Sequence, residues 1–149
     1  MTEPCDLSAT RARRLIGTKE LSPLELLDSC IARIEAVNPA VNAVVTTDYE
    51  NARKTAKEQE KAVMAGEELG ALHGLPMGIK DLQEVAGMRT TFGSLLYEDY
   101  ISNQDGPVIA RLREAGANIF CKTNTPEFGA GANTRNAVFG ATGNPFDPK

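Results

Sequence analysis

The octapeptide GLPMGIKD, residues 74–81, is the stretch that decides how this sequence is interpreted. Apolar residues lead up to Lys80, which predicts a short apolar strand that ends in a charge. Gly74 and Gly78 allow a neighbouring backbone to approach closely. Burial at a strand end lowers the pKa of a lysine and lets it act as a base. The competing interpretation is a lysine whose stem packs on the strand while its ammonium stays in water.

Two helices are predicted on the N-terminal side of this stretch. The first covers residues 8–16 and is short. The second begins at Ser22, because Ser22 is followed by Pro23 and Glu25, the residues of a helix N-terminus with a capping box. An Asn-Pro pair at residues 38–39 predicts its end.

A strand and a third helix are predicted to follow. Residues 41–47 are rich in β-branched side chains, which favour a strand. Asp48 is expected to cap a long polar helix that runs through Val63, with Gly66 closing it. The residues expected to face inward from this helix are small or aliphatic: Ala52, Ala56 and Val63.

Strands and helices also alternate on the C-terminal side. Asp105 is expected to cap a helix that Gly116 ends, and residues 118–121 are expected to form a strand. Residues 125–127 open a helical turn, and regular structure is expected to fade from Gly129 onward. This alternation predicts an α/β fold with a mainly parallel or mixed sheet and flanking helices.

Composition excludes several functional classes. Of the 149 residues, 42% are hydrophobic, a share typical of a folded domain rather than a disordered chain. The net charge of −4 argues against a nucleic-acid-binding protein, which usually carries a basic surplus. No apolar stretch approaches the roughly 20 residues that span a membrane, so no membrane partner is expected.

Cysteine and histidine usage argues against metals and disulfides. Three cysteines without paired spacing do not indicate a disulfide framework. With a single histidine, His73, the chain has too few soft ligands for a zinc site. A polar, acidic N-terminus is unlike a signal peptide. Together these features predict reduced thiols, no metal and a cytoplasmic location.

Other candidate functional residues have simpler interpretations. The GxG at residues 129–131 lacks the third glycine and the preceding strand of a dinucleotide site. His73 is expected to be structural, and Cys121 to be a buried, inert thiol. Asp81 and Glu84 are expected to lie in a solvated loop rather than to form a catalytic carboxylate pair.

Three stretches, taken in order and together with FGATGNP at 139–145, resemble the amidase signature family. They are residues 74–81, TTFGS at 90–94, and residues 108–129, which contain RLREAGA at 111–117 and KTNTPEFG at 122–129. The Gly-x-Pro-x-x-x-Lys-Asp and Lys-Thr-Asn-x-x-Glu-Phe elements are specific in combination. One departure is Cys121, since relatives usually carry glycine there.

The resemblance implies a function for Lys80. In this family a Ser-cisSer-Lys triad hydrolyses carboxamides, and Lys80 corresponds to its lysine. Lys80 would accept a proton from the cis-peptide serine, which in turn activates the nucleophilic serine. The resemblance implies a small-molecule amide substrate and no metal or organic cofactor. Neither the substrate nor the residues that bind it follow from these motifs.

The resemblance also implies that the chain is inactive alone. In relatives the two serines follow an Asn-Pro element like that at 144–145, whereas this sequence stops at Lys149. Ser94 and Ser102 match neither serine. Residues 1–149 are therefore expected to be the N-terminal part of one amidase domain, with a mostly helical lead-in at 1–70 and the start of the core at 71–149. An apolar face left uncovered would cause self-association.

Two other functions compete with an amidase. One is a non-catalytic binding or scaffolding module derived from the same fold. The other, a nucleotide-binding α/β domain, would require a phosphate-binding loop that the sequence lacks. The amidase interpretation makes a geometric prediction: Lys80 and Asp81 leave opposite faces of the strand and do not pair. Lys80 should then lie in a glycine-lined, partly buried site, and Asp81 should accept hydrogen bonds from amides of the following turn.

Overall fold

The computed structural model describes residues 3–147, which contain four α-helices, five strands and three short 3-10 turns. The helices are α1 (Ala9–Gly17), α2 (Pro23–Val41), α3 (Tyr49–Ala65) and α4 (Pro107–Glu114). The strands are β1 (Val44–Thr47), β2 (Pro76–Lys80), β3 (Asn118–Thr123), β4 (Arg135–Asn136) and β5 (Gly140–Ala141). The 3-10 turns span Pro4–Asp6, Leu95–Tyr97 and Glu127–Gly129.

The main sheet has three strands in the order β1-β3-β2. Strand β1 is antiparallel to β3, with Val44 opposite Thr123. Strand β2 runs in the same direction as β3. At one end the amide of Asn118 donates to the carbonyl of Leu75, and at the other the amide of Asp81 donates to the carbonyl of Thr123, both at 2.9 Å. The sheet is therefore mixed, which confirms the α/β fold class predicted from the sequence.

Serine side chains begin the first two helices, and the cap at Ser22 confirms the prediction. The Oγ of Ser22 accepts a hydrogen bond from the amide of Leu24 at 3.0 Å, at the start of α2. The Oγ of Ser8 accepts from the amide of Arg11 at 3.3 Å, at the start of α1. Each serine satisfies an amide that has no partner within its own helix.

The predicted end of α2 at residues 38–39 is wrong, because the helix continues through Pro39 to Val41. The proline removes one amide donor, but the carbonyl of Asn38 still accepts from the amide of Asn42 at 2.7 Å. The Asn38 side chain ends the helix instead. Its Oδ1 accepts from the amides of Ala43 and Val44 at 2.8 Å each, which turns the chain into β1.

Helix α3 has the predicted extent but not the predicted N-terminal cap. Asp48 precedes the helix without a side-chain capping bond. Its two carboxylate oxygens accept from the side-chain amide of Asn51 at 3.0 Å each, so the cap prediction is wrong. Gly66 closes the helix in the left-handed conformation with φ 75°, as predicted. The predicted inward residues are all buried: Ala52, Ala56 and Val63.

The chain divides into two compact units. Unit 1 comprises residues 3–34, Asp48–Met77 and Arg111–Phe120. Its hydrophobic cluster consists of Ala12, Ile16, Leu21, Leu26, Val63 and Leu75. Unit 2 comprises Glu35–Thr47, Gly78–Ala110 and residues 121–147, and it contains all the residues of the candidate site below.

The segment after Gly129 keeps more structure than predicted. Strands β4 and β5 form an antiparallel pair. Asn136 holds the turn between them, because its Oδ1 accepts from the amides of Val138 at 2.9 Å and Phe139 at 2.7 Å. The side chain of Asn42 donates to the carbonyl of Phe139 at 2.7 Å. Within residues 3–147, every helix lacks the length or the apolar character needed to cross a membrane.

Candidate functional site

Lys80 is the last residue of β2, and its side chain is exposed. Ile79 is buried before it and Asp81 is buried after it, as expected for side chains that alternate across a strand. The prediction that Lys80 lies in a partly buried site is therefore wrong for this chain. The prediction that Lys80 and Asp81 leave opposite faces is confirmed.

Gly78 makes close packing possible on the face that carries Lys80. A Cβ atom at Gly78 would lie 3.1 Å from the Sγ of Cys121 and 3.2 Å from Cγ2 of Thr123. Cys121 is 2% exposed, which confirms its predicted burial. Glycine at position 78 thus leaves space for the buried side chain of Cys121 on β3.

Asp81 forms a fully buried ion pair with Lys122 of β3. The Nζ of Lys122 lies 3.0 Å from Oδ1 of Asp81, and both side chains are 0% exposed. The same ammonium donates to Oγ1 of Thr90 at 2.7 Å and to the carbonyl of Gln83 at 2.8 Å. An ammonium carries three N–H donors. The ammonium of Lys122 thus has two hydrogen bonds and one ion pair with protein oxygens.

The second carboxylate oxygen of Asp81 binds the TTFGS motif. Its Oδ2 accepts from the amide of Thr91 at 3.0 Å and from the Thr91 hydroxyl at 2.6 Å. The Thr91 Oγ1 in turn accepts from the amide of Gly93 at 3.0 Å. Among the residues described, Oδ1 has the charge contact with Lys122 but no well-directed hydrogen bond. Asp81 therefore joins two sequence motifs through one side chain.

Two predictions about Asp81 need correction. It does not lie in a solvated loop, since its side chain is fully buried. The amide that it accepts from belongs to Thr91 and not to the turn that follows Lys80. Asp81 can be buried because the opposite charge of Lys122 offsets the cost of removing the carboxylate from water. Glu84 does not share this environment with Asp81. Its carboxylate instead accepts a hydrogen bond from the hydroxyl of Tyr100 at 2.7 Å.

Lys122 is the site residue that sequence reasoning missed. Burial lowers the pKa of its ammonium, and the negative charge of Asp81 opposes this shift. The buried lysine that the sequence analysis expected at position 80 is thus found at position 122. The signal was present: Lys122 follows a run of apolar strand residues and opens the KTNTPEFG motif.

Two phenylalanines near this network adopt unusual backbone conformations. Phe92 and Phe128 have φ of 53° and 49°, in the left-handed region that favours glycine. The amide of Phe128 donates to the carbonyl of Phe92 at 2.7 Å. Each is followed by a glycine that is also left-handed, Gly93 with φ 69° and Gly129 with φ 75°. The TTFGS and KTNTPEFG motifs therefore meet at a pair of strained residues.

His73 has the structural role predicted for it. Its Nε2 lies 3.0 Å from the carbonyl of Gln59, whose side chain donates to the carbonyl of Gly116 at 2.7 Å. A Cβ atom at Gly116 would lie 2.8 Å from Cα of His73, so the two segments pack closely. Across residues 3–147 no group of three or more His, Cys, Asp or Glu side chains is arranged to hold a metal ion.

The sequence matches the family model described as Amidase over residues 25–149. This chain therefore belongs to the amidase signature family. It is 44% identical over 140 residues to an acylamidase from Rhodococcus erythropolis, covering 94% of this chain and 29% of that protein. It is 42% identical over 141 residues to a glutamyl-tRNA(Gln) amidotransferase subunit from Carboxydothermus hydrogenoformans, covering 95% of this chain and 29% of that protein.

Solved structures of family members share the fold. A bacterial aryl acylamidase superposes with a TM-score of 0.89 at 32% identity, covering 95% of this chain and 30% of the other. A fatty acid amide hydrolase superposes with a TM-score of 0.91 at 26% identity, covering 99% and 26%. The chain thus spans less than a third of the length of these relatives.

Proposed function

We propose that this chain supplies the lysine of an amidase that cleaves carboxamide C–N bonds. Lys80 acts as the base of a Ser-cisSer-Lys triad. It accepts a proton from the cis-peptide serine, which relays activation to the nucleophilic serine. The nucleophile attacks the amide carbonyl and the amine or ammonia leaves. Water then hydrolyses the resulting acyl-enzyme to the free acid.

The position of Lys80 carries this proposal. Its ammonium is exposed at the end of β2, while both neighbouring side chains are buried. The residues that follow it are fixed to β3 by the Asp81–Lys122 pair. A general base must come within hydrogen-bond reach of the hydroxyl group whose proton it accepts. The exposed ammonium of Lys80, at the end of a strand, can reach a hydroxyl group supplied by another part of an enzyme.

The 149-residue chain is proposed to be inactive by itself. It covers 29% of the length of the Rhodococcus acylamidase, and we place the two serines and the oxyanion-hole amides in the remaining length. Loss of oxyanion stabilisation alone costs about 100-fold to 1000-fold in rate. The purified chain should therefore release no ammonia or amine from simple carboxamides such as benzamide and acetanilide.

A hybrid enzyme tests the proposal directly. The N-terminal region of the Rhodococcus acylamidase is replaced by this chain, and cleavage of an anilide is measured by release of the aromatic amine. The hybrid should be active, and Lys80→Ala should lower kcat by at least about 100-fold, the usual contribution of a general base. Lys80→Arg should do nearly the same, because a guanidinium does not release its proton.

A surface lysine provides the matched control. Lys54 forms an exposed ion pair with Glu50 at 2.8 Å, so Lys54→Ala should leave kcat unchanged. A hybrid in which Lys80→Ala retains full activity would show that Lys80 is not the base. It would then favour a non-catalytic role for this chain.

The proposed setting is cytoplasmic, and the proposed substrate is a small amide. The three cysteines, Cys5, Cys30 and Cys121, form no disulfide bonds. Cysteines that stay reduced are typical of a reducing compartment. Fractionation of the producing cells, with activity or antibody detection in the cytosolic fraction, tests the location.

A further inference from the structure

Two of the three residues that follow Lys80, Asp81 and Gln83, are held by β3. The amide of Asp81 donates to the carbonyl of Thr123 at 2.9 Å, which continues the strand pairing beyond Lys80. The amide of Gln83 returns to the carbonyl of Lys80 at 3.0 Å and closes a turn. Lys122 binds this turn twice, through the carboxylate of Asp81 and the carbonyl of Gln83. One ammonium therefore contacts two residues of the turn that begins at Lys80, Asp81 and Gln83.

Lys122 has no capacity left for proton transfer to a substrate. Its side chain is 0% exposed, and its ammonium is surrounded by the carboxylate of Asp81, the hydroxyl of Thr90 and the carbonyl of Gln83. A group that accepts or donates a proton during a reaction must come within hydrogen-bond reach of the reacting atom. The full burial of Lys122 prevents that contact, so its role in a reaction is through other residues.

The path from Lys122 to Lys80 is short and rigid. The carboxylate of Asp81, the residue next to Lys80, is bound on one side by Lys122 and on the other by the amide and hydroxyl of Thr91. Rotation of the peptide between residues 80 and 81 would break these contacts. The contacts of Asp81 therefore set the direction in which the Lys80 side chain leaves the strand. The side chain of Lys80 is not part of these contacts.

We propose that Lys122 and Asp81 are positioning residues that fix the backbone of Lys80 and so aim its ammonium. The inference rests on the proposed function of Lys80 as the base. A misplacement of about 1 Å in a catalytic group can cost about 100-fold in rate, so rigidity at this strand end has a direct catalytic value. The alternative is that the buried pair contributes only to the stability of the fold.

A double substitution separates the two roles. Lys122→Met alone leaves the carboxylate of Asp81 buried without its cation, which destabilises the whole chain. Asp81→Asn combined with Lys122→Met removes both charges and keeps an oxygen acceptor for the amide of Thr91. The stability lost in the single variant should largely return. If the pair has only a structural role, the turn at residues 80–83 should be ordered again in the stable double variant. If the pair positions Lys80, the turn should remain mobile although stability has returned.

The first measurement uses the 149-residue chain and requires no turnover. In the double variant, 15N order parameters at residues 80–83 should fall from about 0.85 to below about 0.6, and amide exchange at Gln83 should accelerate at least about tenfold. Residues of β3 such as Phe120 should keep their native values. Thr90→Val, which removes one acceptor of Lys122 at constant shape, should loosen the same turn, and Thr90→Ser should not. Native order at 80–83 in the stable double variant would overturn the inference.

The second measurement uses the hybrid enzyme described above. The double variant should lower kcat at least about tenfold with KM unchanged, because substrate binding does not involve the buried pair. If Lys80→Ala abolishes turnover and the double variant keeps the parental kcat, the positioning role is wrong while the proposed function stands. If Lys80→Ala itself keeps full turnover, the proposed function is wrong and this inference falls with it.

Discussion

Lys80 and Asp81 are neighbours in the sequence and have opposite environments in the fold. The side chain of Lys80 is exposed, whereas the carboxylate of Asp81 is completely buried 3.0 Å from the ammonium of Lys122. A quick reading of the sequence would pair residues 80 and 81. The strand instead sends them to opposite faces, and a lysine from another strand takes the position of the partner. The charge that Asp81 needs is thus supplied without engaging Lys80.

Asp81→Ala should destabilise the chain strongly. The substitution leaves Lys122 buried without a carboxylate, and breaking a buried pair in this way costs about 3–5 kcal/mol. Asp28 offers a matched control, since it pairs with Arg53 at 2.7 Å but both side chains are about half exposed. Asp28→Ala should cost less than about 1 kcal/mol. Urea denaturation measures both, and equal losses for the two variants would contradict the assignment of Asp81 as a buried ion-pair partner.

Gly78→Ala should cost about 1–3 kcal/mol, because the added methyl group overpacks the sheet. Its Cβ would lie 3.1 Å from the Sγ of Cys121. Combining it with Cys121→Ala should recover much of this loss, since the second change removes the obstructing sulfur. Gly106→Ala is the control: its Cβ would find its nearest neighbour at 3.7 Å. Thermal denaturation of the four variants checks the coupling, and strictly additive losses at 78 and 121 would argue against the steric explanation.

Ser22→Ala should destabilise the chain by roughly 1 kcal/mol, the usual value of a helix cap. The reason is the hydrogen bond of 3.0 Å from the amide of Leu24 to the Ser22 Oγ at the start of α2. Ser22→Asp keeps an acceptor at the same place and should retain most of the stability. The comparison is made by chemical denaturation. A loss in the aspartate variant as large as in the alanine variant would show that the hydroxyl does more than cap.

Cys30 should be a slow nucleophile in the folded chain. Burial, with a smaller contribution from Cys5, raises the pKa of the Cys30 thiol from 9.0 to about 11. The reactive thiolate is then scarce at about pH 8, and alkylation should accelerate about tenfold per pH unit up to about pH 10. In urea the pKa returns to its ordinary value and alkylation at about pH 8 should be about 100-fold faster. Mass spectrometry of the alkylated peptide gives both rates. Equal rates in the folded and unfolded chain would contradict the raised pKa.

The isolated chain should self-associate through exposed apolar side chains. Leu96 is 84% exposed and Phe146 is 96% exposed, with Ile101 at 61%. Large exposed apolar surfaces usually mark contact sites. Sedimentation at micromolar concentration should show dimers or larger species, and Leu96→Glu with Phe146→Glu should shift them toward monomer. Met64→Glu, at a separate exposed residue, should not. A monomeric parent chain would refute this expectation.

Local signals in the sequence predicted those parts of the fold that depend on neighbouring residues. Ser22 and Gly66 act on amides and carbonyls within one helical turn, so their effects could be predicted without knowing the rest of the chain. The strand that ends at Lys80 follows from its apolar pattern in the same way. The sequence motifs predicted membership of the amidase signature family, and the matching family model confirms that prediction.

Predictions failed where a competing side chain decided the outcome. Pro39 did not end α2, because the side chain of Asn38 binds the amides beyond it and sets the end two residues later. Asp48 binds Asn51 rather than the amides of α3. In both cases a side-chain hydrogen bond that the local pattern did not indicate sets the observed structure.

The Asp81–Lys122 pair was beyond prediction for a different reason. Its two members are distant in the sequence, and no local pattern indicates that they pair with each other. The pairing of β2 with β3 brings them together in a fully buried site. Whether a lysine is buried depends on such long-range pairing, which is why the buried lysine was expected at position 80 and is found at position 122.

The hydrogen bond between Phe92 and Phe128 has a mechanical consequence. Each residue holds a left-handed conformation that is strained for phenylalanine, and the 2.7 Å bond from the amide of Phe128 to the carbonyl of Phe92 ties the two loops together. The ring of Tyr97 also contacts both phenylalanines. A substitution that relaxes one loop is therefore expected to alter the backbone of the other.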